Sequence, residues 1–201
     1  MTRIVSGFAG SLTLAVPRSG TRPTSDRVRE AIFSALSARN AVYGANVLDL
    51  YAGSGALGLE AASRGAASVV LVERNRAAAA VCRGNASAIL RAAKGRAAPR
   101  VQTVVSSVRA FLAGPSAAAG GFALVFLDPP YDLPETELTA DLAALAPLLA
   151  ADSVVVVERG TRSPEPRWPR MLILDRRKDY GDTAVWTAVH AEADGGGHPL
   201  L

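Results

Sequence analysis

The sequence predicts an α/β fold with a mostly parallel, seven-stranded sheet that ends in an antiparallel hairpin. Three observations carry this expectation. Short runs rich in Val and Leu, at 46–51, 68–73, 101–105, 122–127 and 153–158, alternate with helical stretches near 56–64, 75–94, 107–113 and 136–149. The runs are almost continuously apolar, as strands covered on both faces are. Two further β-like runs, 170–176 and 183–190, follow a proline-rich linker at 163–169. The polar gap between them is too short for a helical crossover, so they should pair antiparallel.

Taken in order, residues 2–16 alternate around Gly7 and Gly10 and read as a β-hairpin. A loop at 17–23 carries Arg18 and Arg22. Thr24, Ser25 and Asp26 are all good N-cap types, and a helix is expected from there to about Arg39. Val28, Ala31, Ile32, Ala35 and Leu36 fall at i, i+3, i+4, i+7 and i+8, one apolar stripe, with Arg27, Arg29 and Glu30 pointing elsewhere. Residues 1–40 thus form an extension, 41–191 the main domain and 192–201 a tail read as disordered. A low-complexity surface loop is expected at 115–121.

A chain of 201 residues suffices for one well-filled α/β domain and a small appendage. No apolar run approaches the roughly 20 residues of a membrane span, and the start does not read as a signal peptide. A single cysteine, Cys82, excludes an internal disulfide framework and suits a reducing cytoplasm; it reads as a small buried side chain on a helix. The only histidines are His190 and His198, so no metal site is expected. Charge is distributed unevenly. Residues 1–40 hold six basic and two acidic residues, and the rest of the chain holds sixteen of each. Between Glu73 and Asp128 there is no acid but eight Arg or Lys residues. Such asymmetry points to a polyanion, most simply nucleic acid, while the scarcity of aromatics argues against a stacking platform for single strands.

The parallel strands closed by a hairpin resemble class I S-adenosylmethionine-dependent methyltransferases; a dinucleotide fold normally adds its sixth strand through another parallel crossover. The apolar run Val47-Leu48-Asp49-Leu50-Tyr51 passes into Ala52-Gly53-Ser54-Gly55 and a helix. Gly53-x-Gly55-x-x-Gly58 fits either cofactor, because glycines let backbone N–H groups approach a ligand closely. Asp49 tips the balance, since a carboxylate suits a cofactor bearing a sulfonium and an ammonium rather than a pyrophosphate. Glu73 closes the next strand, where an acid can accept ribose hydroxyls in either reading. Tyr51 and Arg74 belong to the same two turns and join the expected cofactor set, as does Asp128 at the end of the fourth strand. Ser106 and Ser107 stand where many class I enzymes carry an acid for the adenine amine, and which atom reads the adenine stays open.

Asp128-Pro129-Pro130-Tyr131 ends the fourth strand. Two prolines fix φ and donate no hydrogen bond, so they hold their carbonyls in a stiff direction. The Asp128 carboxylate and a proline carbonyl can bind the hydrogens of an exocyclic base amine and aim its lone pair. Tyr131 can stack on the base. The tetrapeptide resembles the Asn/Asp-Pro-Pro-Tyr/Phe motif of amino methyltransferases acting on adenine N6 or guanine N2. Carbon-5 chemistry on pyrimidines needs a cysteine near the site, and Cys82 lies far from this strand end.

The block from Gly20 to Phe33, containing Arg22-Pro23-Thr24, is similar to the RsmD family, as are Asp49-Leu50-Tyr51-Ala52-Gly53-Ser54-Gly55, Asp128-Pro129-Pro130-Tyr131 and Lys178-Asp179-Tyr180-Gly181-Asp182-Thr183. The resemblance runs from about Arg3 to about His190. It implies a cytoplasmic enzyme that methylates guanine N2 in 16S rRNA with S-adenosylmethionine, using no metal and no membrane. 16S rRNA or the small-subunit particle is the expected partner, and a monomer is expected. It also implies that Arg18, Arg22, Thr24, Arg27 and Arg29 face RNA near the catalytic mouth. The alternatives are adenine-N6 methylation of RNA or DNA and, from another class, an NAD-dependent oxidoreductase.

Overall fold

A computed structural model describes residues 2–17, 25–95, 97–115, 117 and 120–191. Arg18, Arg22, Thr24 and the 192–201 tail therefore lie outside the described residues. The N-terminal hairpin is present but short: β1 (Thr2–Arg3) pairs antiparallel with β2 (Thr13–Leu14). Its ladder stops early because the connecting backbone spends its donors on a helix. Val5 and Ser6 donate to the Glu60 carboxylate at 2.6 and 3.0 Å, and Ala9 donates to Ser63 Oγ at 3.0 Å. Gly7, at φ +88°, permits this approach, since a Cβ there would stand 2.0 Å from the Ser63 carbonyl oxygen.

Helix α1 (Asp26–Ala38) starts at Ser25, whose hydroxyl accepts from the Val28 amide at 3.3 Å. Val28, Ile32 and Leu36 are buried as their spacing predicts, and Phe33 joins them, tilted against Phe126 at 5.5 Å between ring centroids. Arg29 corrects the sequence reading. It is fully buried, not outward-facing, and donates to the Arg3 carbonyl and to Asp26, both at 2.6 Å. The helix is covered by the sheet on one side and by the N-terminal hairpin on the other, so the buried stripe is wider than one-sided periodicity allows. Desolvation pulls the guanidinium pKa down, against the attraction of Asp26. Arg29 is thus a strut of the extension and offers no surface to RNA.

The main body follows: β3 (Asn46–Leu50), α2 (Ala56–Ser63), β4 (Ser68–Glu73), α3 (Arg76–Ala92), β5 (Arg100–Val105), α4 (Val108–Leu112), β6 (Phe122–Leu127), α5 (Glu135–Leu145), β7 (Leu149–Gly160), β8 (Leu172–Tyr180) and β9 (Thr183–His190). The sheet order is β5-β4-β3-β6-β7-β9-β8. The first five strands are parallel, and β9 runs antiparallel between β7 and β8. Side chains alternate between two cores. Val47, Leu124 and Phe126 pack with α1, α2, α3 and the hairpin residues Ile4 and Leu14. Leu48, Leu50, Val125 and Leu127 pack with α4 and α5. The extension therefore shares one core with the sheet.

Three boundaries differ from expectation. Helix α5 ends at Leu145 and tightens into a 3-10 turn over Ala146–Leu148, where Pro147 supplies no amide hydrogen. Strand β7 then begins at Leu149, earlier than the apolar run alone indicates. The polar residues 177–180 continue β8 instead of forming a connection, leaving only Gly181 and Asp182 as the turn. An edge strand accepts polar side chains because one flank faces water. Ala117, in the expected surface loop, is buried under β6. Among the described residues no helix is long and apolar enough to cross a membrane, and no group of three or more His, Cys, Asp or Glu could hold a metal ion.

Candidate active site

The carboxyl ends of β3, β4, β5 and β6 open onto one cavity of about 460 Å³, within the size range of small-molecule sites. Asp49, Tyr51, Gly53, Glu73, Arg74, Ser106, Ser107, Asp128 and Pro130 all line it. Parallel pairing explains the convergence. Leu50 stands opposite Val72 on one side and Leu127 on the other, so the turns after each strand meet above the sheet edge.

The glycine turn is held from below and from the side. Asp49 is 2 % exposed and accepts from the Gly58 amide at 2.8 Å, near the N-terminus of α2. Burial pushes its carboxyl up to about 7 despite that hydrogen bond, and the charges of Asp128 and Glu73 push in the same direction. Glu73 accepts from the Gly53 amide at 2.9 Å and from the Asn75 amide at 2.7 Å, which ties the turn to the end of β4. Gly55 does not line the cavity. It starts α2 at φ +82°, where a Cβ would meet Cys82 Sγ at 2.9 Å, so its role is the close approach of α2 to α3. Three acids gathered round a glycine cradle fit a cationic ligand.

Tyr51 is an unusual member of the turn, with φ +63° on a residue that carries a Cβ. Its hydroxyl donates to Asp141 on α5 at 2.5 Å, and burial together with that carboxylate pushes the phenol pKa up. Tyr51 thus stays neutral and links the glycine turn to the helix that follows the Asp128 turn.

Asp128 is half-buried and Pro129 buried, whereas Tyr131 is 60 % exposed just outside the cavity. The turn is pinned by a residue that sequence reasoning missed. Arg159, buried at the end of β7, donates to the Pro130 carbonyl at 3.3 Å and the Leu133 carbonyl at 2.9 Å, and pairs with the Glu135 carboxylate. Its only sequence signal is a charged pair, Glu158-Arg159, closing an apolar strand. Also missed were Arg109 and Glu137 at the rim, and Val16 and Pro17 from the extension. Asn85 on α3 fastens that extension by exchanging hydrogen bonds with Ala15 and donating to the Ser54 carbonyl, each at 2.9 Å. Cys82 is fully buried and its thiol is pushed up to about 12, chiefly by desolvation, so it supplies no thiolate.

This strand order, with a glycine turn after β3, an acid after β4 and an Asp-Pro-Pro-Tyr turn after β6 around one cavity, defines a class I methyltransferase. The family described as conserved hypothetical protein 95 matches residues 2–189. Ribosomal RNA small subunit methyltransferase D of Escherichia coli K12 is 37 % identical over 183 residues, covering 90 % of this chain and 86 % of the relative. The protein of the same name from Haemophilus influenzae is 31 % identical over 163 residues, covering 81 % and 80 %. The solved structure of a hypothetical protein from Thermus thermophilus superposes with a TM-score of 0.77 at 32 % identity, covering 93 % of this chain and 98 % of the other. The chain belongs to this family of methyltransferases, the RsmD family.

Proposed function

We propose that this protein methylates the exocyclic N2 of a guanine in 16S rRNA, with S-adenosylmethionine as donor. The observation that carries the proposal is the Asp128-Pro129-Pro130-Tyr131 turn, whose Asp128 and Pro130 line the same cavity as Asp49, Gly53 and Glu73. The small-subunit activity named for the relatives supports the choice of RNA. S-adenosylmethionine, when bound, supplies an electrophilic methyl group on a sulfonium. In this assignment Asp49 faces the amino-acid end of the donor, Glu73 its ribose hydroxyls, and Ser106 and Ser107 its base, with Arg74 at the rim. Asp128 and the Pro129 carbonyl accept the two amine hydrogens and turn the nitrogen lone pair toward the methyl group. The same acceptors stabilise the positive charge that develops on nitrogen, and the proton leaves after attack because the neutral amine is too weak an acid to lose it first. Tyr131, at the outer lip, stacks on a base taken out of its helix or loop. Arg27, exposed in the first turn of α1, and the arginines at 18 and 22 supply phosphate contacts.

The decisive measurement is mass-spectrometric mapping of N2-methylguanine in 16S rRNA from cells with and without the gene. Loss of one modified guanine on deletion is expected. Loss of N6-methyladenine instead would reassign the base, and binding of NAD in place of S-adenosylhomocysteine would reject the class of chemistry.

A pH dependence follows from Asp49. A buried carboxyl near pH 7 must ionise to meet a ligand ammonium, so binding releases a proton below that pH. Affinity for S-adenosylhomocysteine, which keeps the ammonium, should fall as pH drops below about 7, approaching ten-fold per unit. Asp49→Asn should bind more weakly and flatten the profile. Calorimetry in buffers of different ionisation enthalpy checks both points, and a flat profile in the unaltered protein would remove Asp49 from the ammonium site.

A further inference from the structure

A second concavity, of about 350 Å³, lies between α1 and the β8–β9 hairpin on the α1 face of the sheet. Its floor is apolar, built from Ile32, Leu36, Val156 and Val185. Its rim carries Arg39, Asp175, Arg176, Lys178 and Tyr180. We propose that this groove receives a stretch of RNA backbone leading to the catalytic mouth, with Arg176 and Lys178 meeting successive phosphates. The proposal rests on the rRNA substrate reading and adds Arg176 and Lys178 of β8 to the phosphate contacts proposed for the arginines at 18, 22 and 27.

Charge decides the occupant. Asp175 is already neutralised by Arg39 at 2.5 Å. Asp179 accepts two hydrogen bonds from Arg177, which lies over the Trp186 ring on the opposite face of β8. Arg176 and Lys178 are exposed and, among the described residues, have no carboxylate partner. The groove therefore presents two uncompensated cations, which suits an anionic chain and disfavours a purely apolar peptide. Spacing fits as well. Residues i and i+2 on one strand face are about 6.7 Å apart, comparable to the step between phosphates along an extended strand. The Lys178 ammonium stands 5.4 Å from the Tyr180 ring centroid, which keeps it over the rim.

Position gives the second argument. Tyr180 pairs with Thr183, and Thr183 pairs with Gly160 at the carboxyl end of β7. A Cβ built on Gly160 would stand 3.7 Å from the Tyr131 ring. Lys178 and Tyr180 thus lie at the mouth end of the sheet, two strands away from the residue that stacks on the target base. A strand whose base enters at Tyr131 can continue along the groove without leaving the α1 face. Lys178-Asp179-Tyr180-Gly181-Asp182-Thr183, which the cofactor and base sites do not use, acquires a role here.

The test is binding of purified 16S rRNA by the full chain from about 50 to about 300 mM salt, for the unaltered protein and for Arg176→Gln with Lys178→Gln. Losing two phosphate contacts should make the slope of log K against log salt shallower by about 1.5–2, with binding of S-adenosylhomocysteine unchanged. Arg177→Gln, altered on the opposite face, should keep the original slope. An unchanged slope in the double variant overturns the proposal. So does a loss confined to the assembled particle with naked-RNA binding intact, which would make the groove's occupant a ribosomal protein. Methyl transfer by the unaltered protein to the same RNA, followed in parallel, reports separately on the substrate reading.

Discussion

Asp128→Ala is expected to reduce single-turnover methyl transfer by about 10²–10³-fold while leaving S-adenosylhomocysteine affinity within about three-fold. That loss corresponds to about 2.7–4 kcal/mol of transition-state stabilisation, the scale on which one preorganised electrostatic partner acts. An exocyclic amine conjugated with a purine ring is a poor nucleophile, and alanine removes the acceptor that orients it. The remaining Pro129 carbonyl binds one hydrogen and leaves the amine free to rotate back into conjugation. Asp128→Asn keeps an acceptor oxygen without the charge and should fall between the two. A second consequence separates a local effect from misfolding. The Asp128 charge helps to hold the Asp49 carboxyl near 7, so its removal should move the pH dependence of cofactor binding to lower pH. A variant that binds cofactor with that shifted profile and no longer transfers methyl is folded and lacks the orienting group. Transfer at the original rate would show that Asp128 does not touch the amine.

The elements carrying this chemistry were legible because each is local. Val and Leu runs covered on both faces announce parallel strands, and β3, β4, β5 and β6 fall within a residue or so of the expected spans. Once those strands are parallel neighbours, Asp49, Glu73 and Asp128 must share one edge of the sheet. What was illegible depends on contacts between distant segments. Arg29 reads as solvent-facing from helix periodicity alone, because nothing in α1 reveals that the Arg3 carbonyl will cover it. Arg159 reads as one more charge after an apolar strand, since its acceptors at Pro130 and Leu133 lie 29 and 26 residues earlier in the chain. Asn85 looks like a polar residue in an alanine-rich helix, yet it holds backbone 31 and 70 residues away. The polar end of β8 reads as a gap between two strands, because an edge strand need not be apolar. Local patterns name the residues that meet at this edge of the sheet, while the scaffold that fixes them is written in long-range hydrogen bonds.

The strongest test of that scaffold is Arg159. Its guanidinium is buried, and its planar fork spans two carbonyls and a carboxylate in a way that a single ammonium cannot reproduce. In Arg159→Met the Pro130 carbonyl keeps the Leu133 amide at 2.9 Å, but the fork to the Pro130 and Leu133 carbonyls is lost and Glu135 is released toward water. Two lost hydrogen bonds in a partly buried setting cost about 1–3 kcal/mol, which for a chain of this size lowers Tm by several degrees, about 2–4 °C per kcal/mol. The turn then samples orientations in which the Asp128 carboxylate and the Pro129 carbonyl no longer converge. Transfer should drop about 10–100-fold in kcat, because small misplacements of an orienting group are costly, with KM for the methyl donor nearly unchanged. Arg159→Lys can satisfy Glu135 and one carbonyl and should recover part of kcat. A purely structural arginine predicts a different pattern: a lower Tm, and a kcat per folded molecule equal to that of the unaltered protein. Measuring kcat at a temperature where all three proteins are fully folded separates the two. Equal values would leave Arg159 a brace for β7, whereas the graded loss from Arg to Lys to Met makes it the residue that aims the catalytic turn.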